Sequence, residues 1–122
     1  MKDLSRFKEK QFNTPNDFEF LKKLDEYFDS SLGTNIEKLQ NFAKYVPRQD
    51  LTNFLARYEI FKKILNVPGS IIECGVLFGG GLMTFAQLSS IFEPVNFERK
   101  IIGFDTFSGL TKFSKYDKMS FS

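Results

Sequence analysis

A carboxylate, a run of glycines and a second carboxylate carry most of the chemical content of this sequence. Glu73-Cys74-Gly75-Val76 leads into Gly79-Gly80-Gly81, and about thirty residues after Gly75 stands Asp105, followed by Thr106. Glycines at a strand-to-helix junction let the backbone turn tightly and approach a ligand closely, and the helix start offers unpaired N–H groups. An acid just past the following strand can accept hydrogen bonds from both hydroxyls of a ribose. The pair of signals points to an adenosine-type ligand.

The details narrow the ligand class. The dinucleotide pattern G-x-G-x-x-G is absent, because Leu77 stands where the second glycine would lie beside a pyrophosphate. A Walker loop is excluded as well, since no Gly-Lys-Ser or Gly-Lys-Thr follows the glycines. Glu73, two residues before the first glycine, would repel a phosphate at close range but can order the glycine turn and face a cation. A sulfonium cofactor, S-adenosylmethionine, fits this charge pattern.

Elements that could position these residues are legible on either side. The chain is polar and helix-periodic to about Leu65, then changes after Asn66-Val67-Pro68-Gly69 to short apolar runs punctuated by glycine. This texture predicts a helical N-terminal extension over 1–66, a βαβ unit over 67–110 and a loose Lys- and Ser-rich tail over 111–122. In the extension, Asn16 or Asp17 is expected to cap a helix through Phe18, Leu21, Leu24 and Phe28. A second helical segment carries Ile36, Leu39, Phe42 and Ala43 and stops ahead of Pro47. A third helix, capped by Asp50, should place Leu51, Phe54, Leu55, Tyr58, Phe61, Ile64 and Leu65 on one stripe. In the βαβ unit, a strand over 70–74 precedes the glycines. An almost wholly apolar helix through Leu82, Met83, Phe85, Ala86, Leu88, Ile91 and Phe92 ends at Pro94, and a strand over 100–104 finishes at Asp105. The fold class is α/β, with parallel strands and a right-handed crossover.

The run Glu73-Cys74-Gly75-Val76, Gly79-Gly80 and Gly103-Phe104-Asp105-Thr106-Phe107-Ser108-Gly109-Leu110 resembles the macrocin O-methyltransferase family, class I methyltransferases acting on deoxysugar hydroxyls. The nearest match looks like a nucleotide-linked 6-deoxyhexose 3-O-methyltransferase. The likeness spans roughly Tyr45 to Leu110 and takes in Arg57-Tyr58-Glu59. It implies a doubly wound Rossmann-like sheet of about seven strands, of which this chain supplies the first βαβ unit. It also implies that Glu73, Gly75, Val76 and the Gly79, Gly80, Gly81 turn surround the methionine part of S-adenosylmethionine, with Asp105 and Thr106 on the ribose side. Family members often carry Arg before the double glycine; Phe78 stands there in this sequence. The segments that would bring a general base and the ligands for a divalent metal such as magnesium are not in the chain, so no catalytic residue is assigned. The implied partner is a sugar or nucleotide-sugar substrate. A two-stranded parallel sheet is marginal alone, so self-association or a complementary second chain is expected.

Composition sets the outer limits. Sixteen Phe against four Tyr and no Trp indicate a core of rings without polar handles. A net charge of +2, spread among acidic residues, does not indicate nucleic-acid binding. The charged start, Met1 to Phe12, lacks a signal-peptide core, no stretch is long and apolar enough for a membrane span, and a cytoplasmic address is expected. Without histidine, and with Cys74 as the single cysteine, the chain has no thiolate cluster and no imidazole base. Cys74 is read as a small buried hydrophobe. Plainer readings stand beside the sharp ones: the glycines as an ordinary turn, Asp105 as a cap, and Tyr58 and Glu59 as packing and surface. Two rivals in function are a non-catalytic interaction module derived from a methyltransferase and a fragment of a nicotinamide-dependent oxidoreductase.

Overall fold

The computed structural model describes residues 14–108. The expected tail over 111–122, the charged start to Phe12, and Gly109 and Leu110 lie outside the described residues. The chain divides into two compact units, Met1–Pro47 and Arg48–Ser122. The change in sequence texture near 66 and this division are different boundaries.

In the first unit, helix α1 (Pro15–Ser30) is set by a capping box one turn wide. The Thr14 hydroxyl accepts from the Asp17 N–H at 3.3 Å, and the Asp17 carboxylate accepts from the Thr14 N–H at 2.8 Å. The cap is therefore Thr14, and neither Asn16 nor Asp17 as expected, because Pro15 is suited to the first helical position and Asp17 to the third. The same device recurs at Thr34 and Glu37, which start helix α2 (Asn35–Gln40). Hydrogen bonds from these threonines hold the Asp17 and Glu37 carboxyls below their ordinary range. A single 3-10 turn, Phe42–Lys44, follows. Tyr45 packs edge-on to Phe28, with ring centroids 5.0 Å apart. Lys38 is buried, yet satisfied, since its ammonium donates to the Phe28 carbonyl and lies 4.8 Å from the Phe28 ring.

The second unit contains helix α3 (Arg48–Ile64), strand β1 (Ile71–Cys74), helix α4 (Gly80–Phe92) and strand β2 (Ile101–Phe104). Helix α3 starts at Arg48, ahead of the cap expected at Asp50, which instead lies in the first turn, where its charge suits the helix N-terminus. The strands pair in parallel, Ile71 with Ile101 through Cys74 with Phe104, so Glu73 sits opposite Gly103. Ile71 and Glu73 are half-buried while Ile72 and Cys74 are exposed, the period of two that a sheet imposes. The expected βαβ unit is present, and with it an incomplete Rossmann-like α/β fold.

The core between α3 and α4 is small. Phe61 is fully buried and Leu88 is 3% exposed. Phe92 lies 6.4 Å from Phe61 and stacks on Tyr58 at 5.7 Å between ring centroids. The stripe expected on α3 is only partly covered, with Phe54 and Leu55 exposed. Helix α4 is almost wholly apolar, yet Met83 and Ile91 are exposed, because α3 and two strands cover only part of its circumference.

Below the strands, Arg99 joins the pieces. Its Nε and Nη2 donate to Glu93 at 2.7 and 3.0 Å, Nη2 also to the Ile64 and Val67 carbonyls, and Nη1 to the Gly69 carbonyl at 3.0 Å. Both side chains are nearly sealed from water, at 4% and 6% exposure. The Arg99 guanidinium holds the Glu93 carboxyl below its ordinary range against the opposing effect of burial. One residue thereby ties the end of α3, the turn before β1 and the end of α4 to the start of β2.

Candidate functional site at the carboxyl ends of the strands

Beyond β1 the backbone alternates in hand. Gly75, Leu77 and Gly79 have φ of 79°, 52° and 86°. The Gly75 N–H donates to the Phe104 carbonyl, extending the parallel ladder, and the Gly79 N–H closes a turn onto Val76. Gly79 then serves as the left-handed N-cap of α4, and Gly80 and Gly81 are its first helical residues. Two of the three left-handed positions are glycine, for which this conformation is free. The third is Leu77, at the position of the absent second glycine. A left-handed leucine is strained by about 1–3 kcal/mol, and its side chain is 73% exposed.

The Glu73 carboxylate lies beneath the first turn of α4. A Cβ on Gly81 would overlap its Oε1, so the bare backbone at 81 makes room for the carboxylate. Nη2 of Arg57, from α3, would lie 3.0 Å from the same point. Oε2 of Glu73 is buried without a hydrogen-bond partner, an arrangement native proteins avoid unless another group completes it. Opposite, Gly103 leaves space for Val76 and Leu82, whose methyls would approach a Cβ there to 2.7 and 2.8 Å. Glu73, Gly75, Val76, Gly79, Gly80 and Gly81 thus follow one another through the strand end, the turn and the helix start.

Asp105 closes the other side. Its Oδ2 accepts from the Leu77 N–H at 2.8 Å and its Oδ1 from the Phe107 N–H at 3.1 Å. The Thr106 hydroxyl reaches Oδ1 at 3.4 Å. The backbone bond from Leu77, then that from Phe107, holds the Asp105 carboxyl below its ordinary range. Phe107, like Leu77, is left-handed, with φ of 53°. A carboxylate has about four acceptor positions; the Phe107 N–H and the Thr106 hydroxyl take those of Oδ1, and the Leu77 N–H takes one on Oδ2.

The structure brings Asp105 onto the glycine turn and Glu73 beneath the helix start. Sequence reasoning missed three participants: Arg57 beside Glu73, Gly103 as a clearance, and Leu77 as the donor to Asp105. The place of Leu77 at the missing glycine was the signal for the last; Arg57 lay within the resemblance, but its approach to Glu73 comes from another helix and no spacing announced it. Cys74 is exposed rather than buried, because its register places it on the sheet face away from α4. Among the described residues, no group of three or more His, Cys, Asp or Glu could hold a metal ion. No described helix is long and apolar enough to cross a membrane.

With its strand, left-handed glycine turn, helix and parallel strand, the chain is similar to methyltransferases of known structure and carries part of their Rossmann-like fold. It is similar to the crystal structure of CalS11, a calicheamicin methyltransferase, with 33% identity and a TM-score of 0.80, over 97% of this chain and 45% of that one. It is similar also to the apo structure of CalS11, described as a TDP-rhamnose 3′-O-methyltransferase in calicheamicin biosynthesis, with 34% identity and a TM-score of 0.74, over 88% and 46%. The chain spans slightly less than half the length of these relatives. No protein-family model and no curated protein matches the sequence.

Proposed function

We propose that this chain supplies the cofactor-binding half of an S-adenosylmethionine-dependent O-methyltransferase of the macrocin O-methyltransferase type, acting on a sugar or nucleotide-sugar hydroxyl. The observation that carries the reading is the buried, unpartnered Oε2 of Glu73 beneath the glycine turn. A buried carboxylate oxygen of this kind is completed by a cationic or N–H-bearing group, and the methionine end of this cofactor carries both. The sugar O-methyltransferase relative supports the acceptor class.

In this reading Glu73, Gly75, Val76 and the Gly79 to Gly81 turn hold the methionine end, and Asp105 and Thr106 stand on the ribose side. When bound, the cofactor supplies an electrophilic methyl group on a positively charged sulfur. The part played by this chain is to bind and orient. The general base and the acceptor site belong to a further segment or second chain, which the exposed Ile72 and Phe104 of the sheet would meet.

Calorimetric titration with S-adenosylhomocysteine tests the proposal. Binding is expected for the wild-type chain and should be weakened about tenfold by Glu73→Gln, the loss expected for a charge-assisted bond. No heat at millimolar ligand, alone or with the remaining segment added in trans, would favour the interaction module, and preferential binding of NAD would favour the oxidoreductase.

A further inference from the structure

Asp105 does more than the ribose role requires. Only two non-glycine residues among those described have positive φ, Leu77 and Phe107, and the N–H groups of both donate to this one carboxylate, to its two different oxygens. The two residues lie on separate loops, one after each strand. Bulky residues adopt the left-handed region only where the surroundings impose it. The restraint cannot come from their own side chains, which are 73% and 81% exposed.

The alternation of hand from Gly75 to Gly79 also has an electrostatic side. Backbone N–H groups in such a turn converge into a concavity suited to an anion, the feature that phosphate-binding loops exploit. In this chain the Leu77 N–H, at the position of the second glycine of a dinucleotide loop, is already taken by Asp105.

We propose that Asp105 is a positioning and specificity residue: its carboxylate is a built-in anion that latches the two loops in their left-handed conformations and occupies the place a ligand phosphate would take. The latch stands on the geometry alone. The selection against phosphate rests on the proposed cofactor reading. Phosphate is turned away by Asp105 above the turn and by Glu73 below it.

The test uses the ligand-free 122-residue chain, labelled with nitrogen-15, at neutral pH. In D105N the amides of Leu77 and Phe107 should exchange with solvent at least about tenfold faster, while those of Ile72 and Ile102 in the strands stay unchanged. Exchange at Leu77 and Phe107 as fast in the wild type as in D105N overturns the latch. Inorganic pyrophosphate should shift the Leu77 to Gly81 amide resonances in D105A and leave the wild type unmoved; equal shifts in both overturn the exclusion of phosphate. Stability gives an independent check. Because glycine adopts the left-handed region freely, the drop in unfolding midpoint caused by D105N should be smaller in an L77G background than in the wild type, and equal drops, including complete unfolding of both, overturn the proposal. If S-adenosylhomocysteine leaves the wild-type loop unshifted while the exchange differences hold, the cofactor reading fails and the latch stands.

Discussion

Strand β2 is bracketed by two charged residues, Arg99 just before it and Asp105 just after it, and the two ends it joins are built differently. At the Arg99 end every guanidinium nitrogen has an acceptor, the pair with Glu93 is sealed from water, and the backbone nearby is turned by glycine at Gly69, where a positive φ costs little. At the Asp105 end the carboxylate is only half-buried, two bulky residues hold left-handed conformations, and a neighbouring carboxylate oxygen, that of Glu73, has no partner. The first end is energetically complete without a ligand. The second carries strain and an unmet polar group, the signature of a surface arranged for something that binds. The closed ion pair and the proposed site thus fall at opposite ends of the same strand.

The contrast can be broken most directly at Arg99. R99A would leave Glu93 buried and unpaired and free three carbonyls, and should cost about 3–5 kcal/mol in urea unfolding; a loss comparable to that of a surface residue would remove the distinction between the ends. At the other end, Gly81→Ala separates stability from binding. Alanine favours a helix over glycine by roughly 1 kcal/mol, but its Cβ would displace the Glu73 carboxylate. Its thermal midpoint should change little, while affinity for S-adenosylhomocysteine falls at least about tenfold.

Acid should act on both ends in the same direction. Asp105 and Glu93 have carboxyls lowered in the folded chain, by the Leu77 N–H and by Arg99 respectively. A group lowered on folding stabilises fully above its unfolded value, about 3.9 for Asp and 4.3 for Glu, and that stability is lost as pH falls through the folded value. Stability from these two groups should therefore be flat between pH 7 and about 5.5 and decline below about 4. A decline already complete at pH 5 would show that these carboxyls are not held low. The smallest effect is expected for Leu77→Gly, where relief of strain is offset by the greater freedom of glycine in the unfolded chain, leaving a gain of at most about 1 kcal/mol.

Much of the framework was legible because it is local. Apolar runs flanked by glycine and proline located β1, α4 and β2 to within a few residues, and the glycines announced the turn between them. Helix starts were read less well: Asn16 and Asp17 were favoured as caps when Thr14 holds that place, since a capping box contains two plausible caps and only the backbone decides between them. The placement of the candidate residues was legible where it follows the chain, with Glu73, Gly75 and Asp105 at the carboxyl ends of the strands. It was not legible where it depends on side chains arriving from elsewhere, as with Arg57 from α3. Nor does sequence show that an exposed leucine occupies a glycine conformation, because that follows from what Asp105 holds across a gap of twenty-eight residues.

The pairing of Glu73 with Gly103 carries one more consequence. With no side chain at 103, the methyls of Leu82 and Val76 rest on bare strand, and with none at 81 the Glu73 carboxylate rests on bare helix. At each of these contacts a single side chain separates strand end from helix start. A side chain introduced at 103 or 81 would therefore push the strand end and the turn apart, so the spacing between them is set by the two missing Cβ atoms.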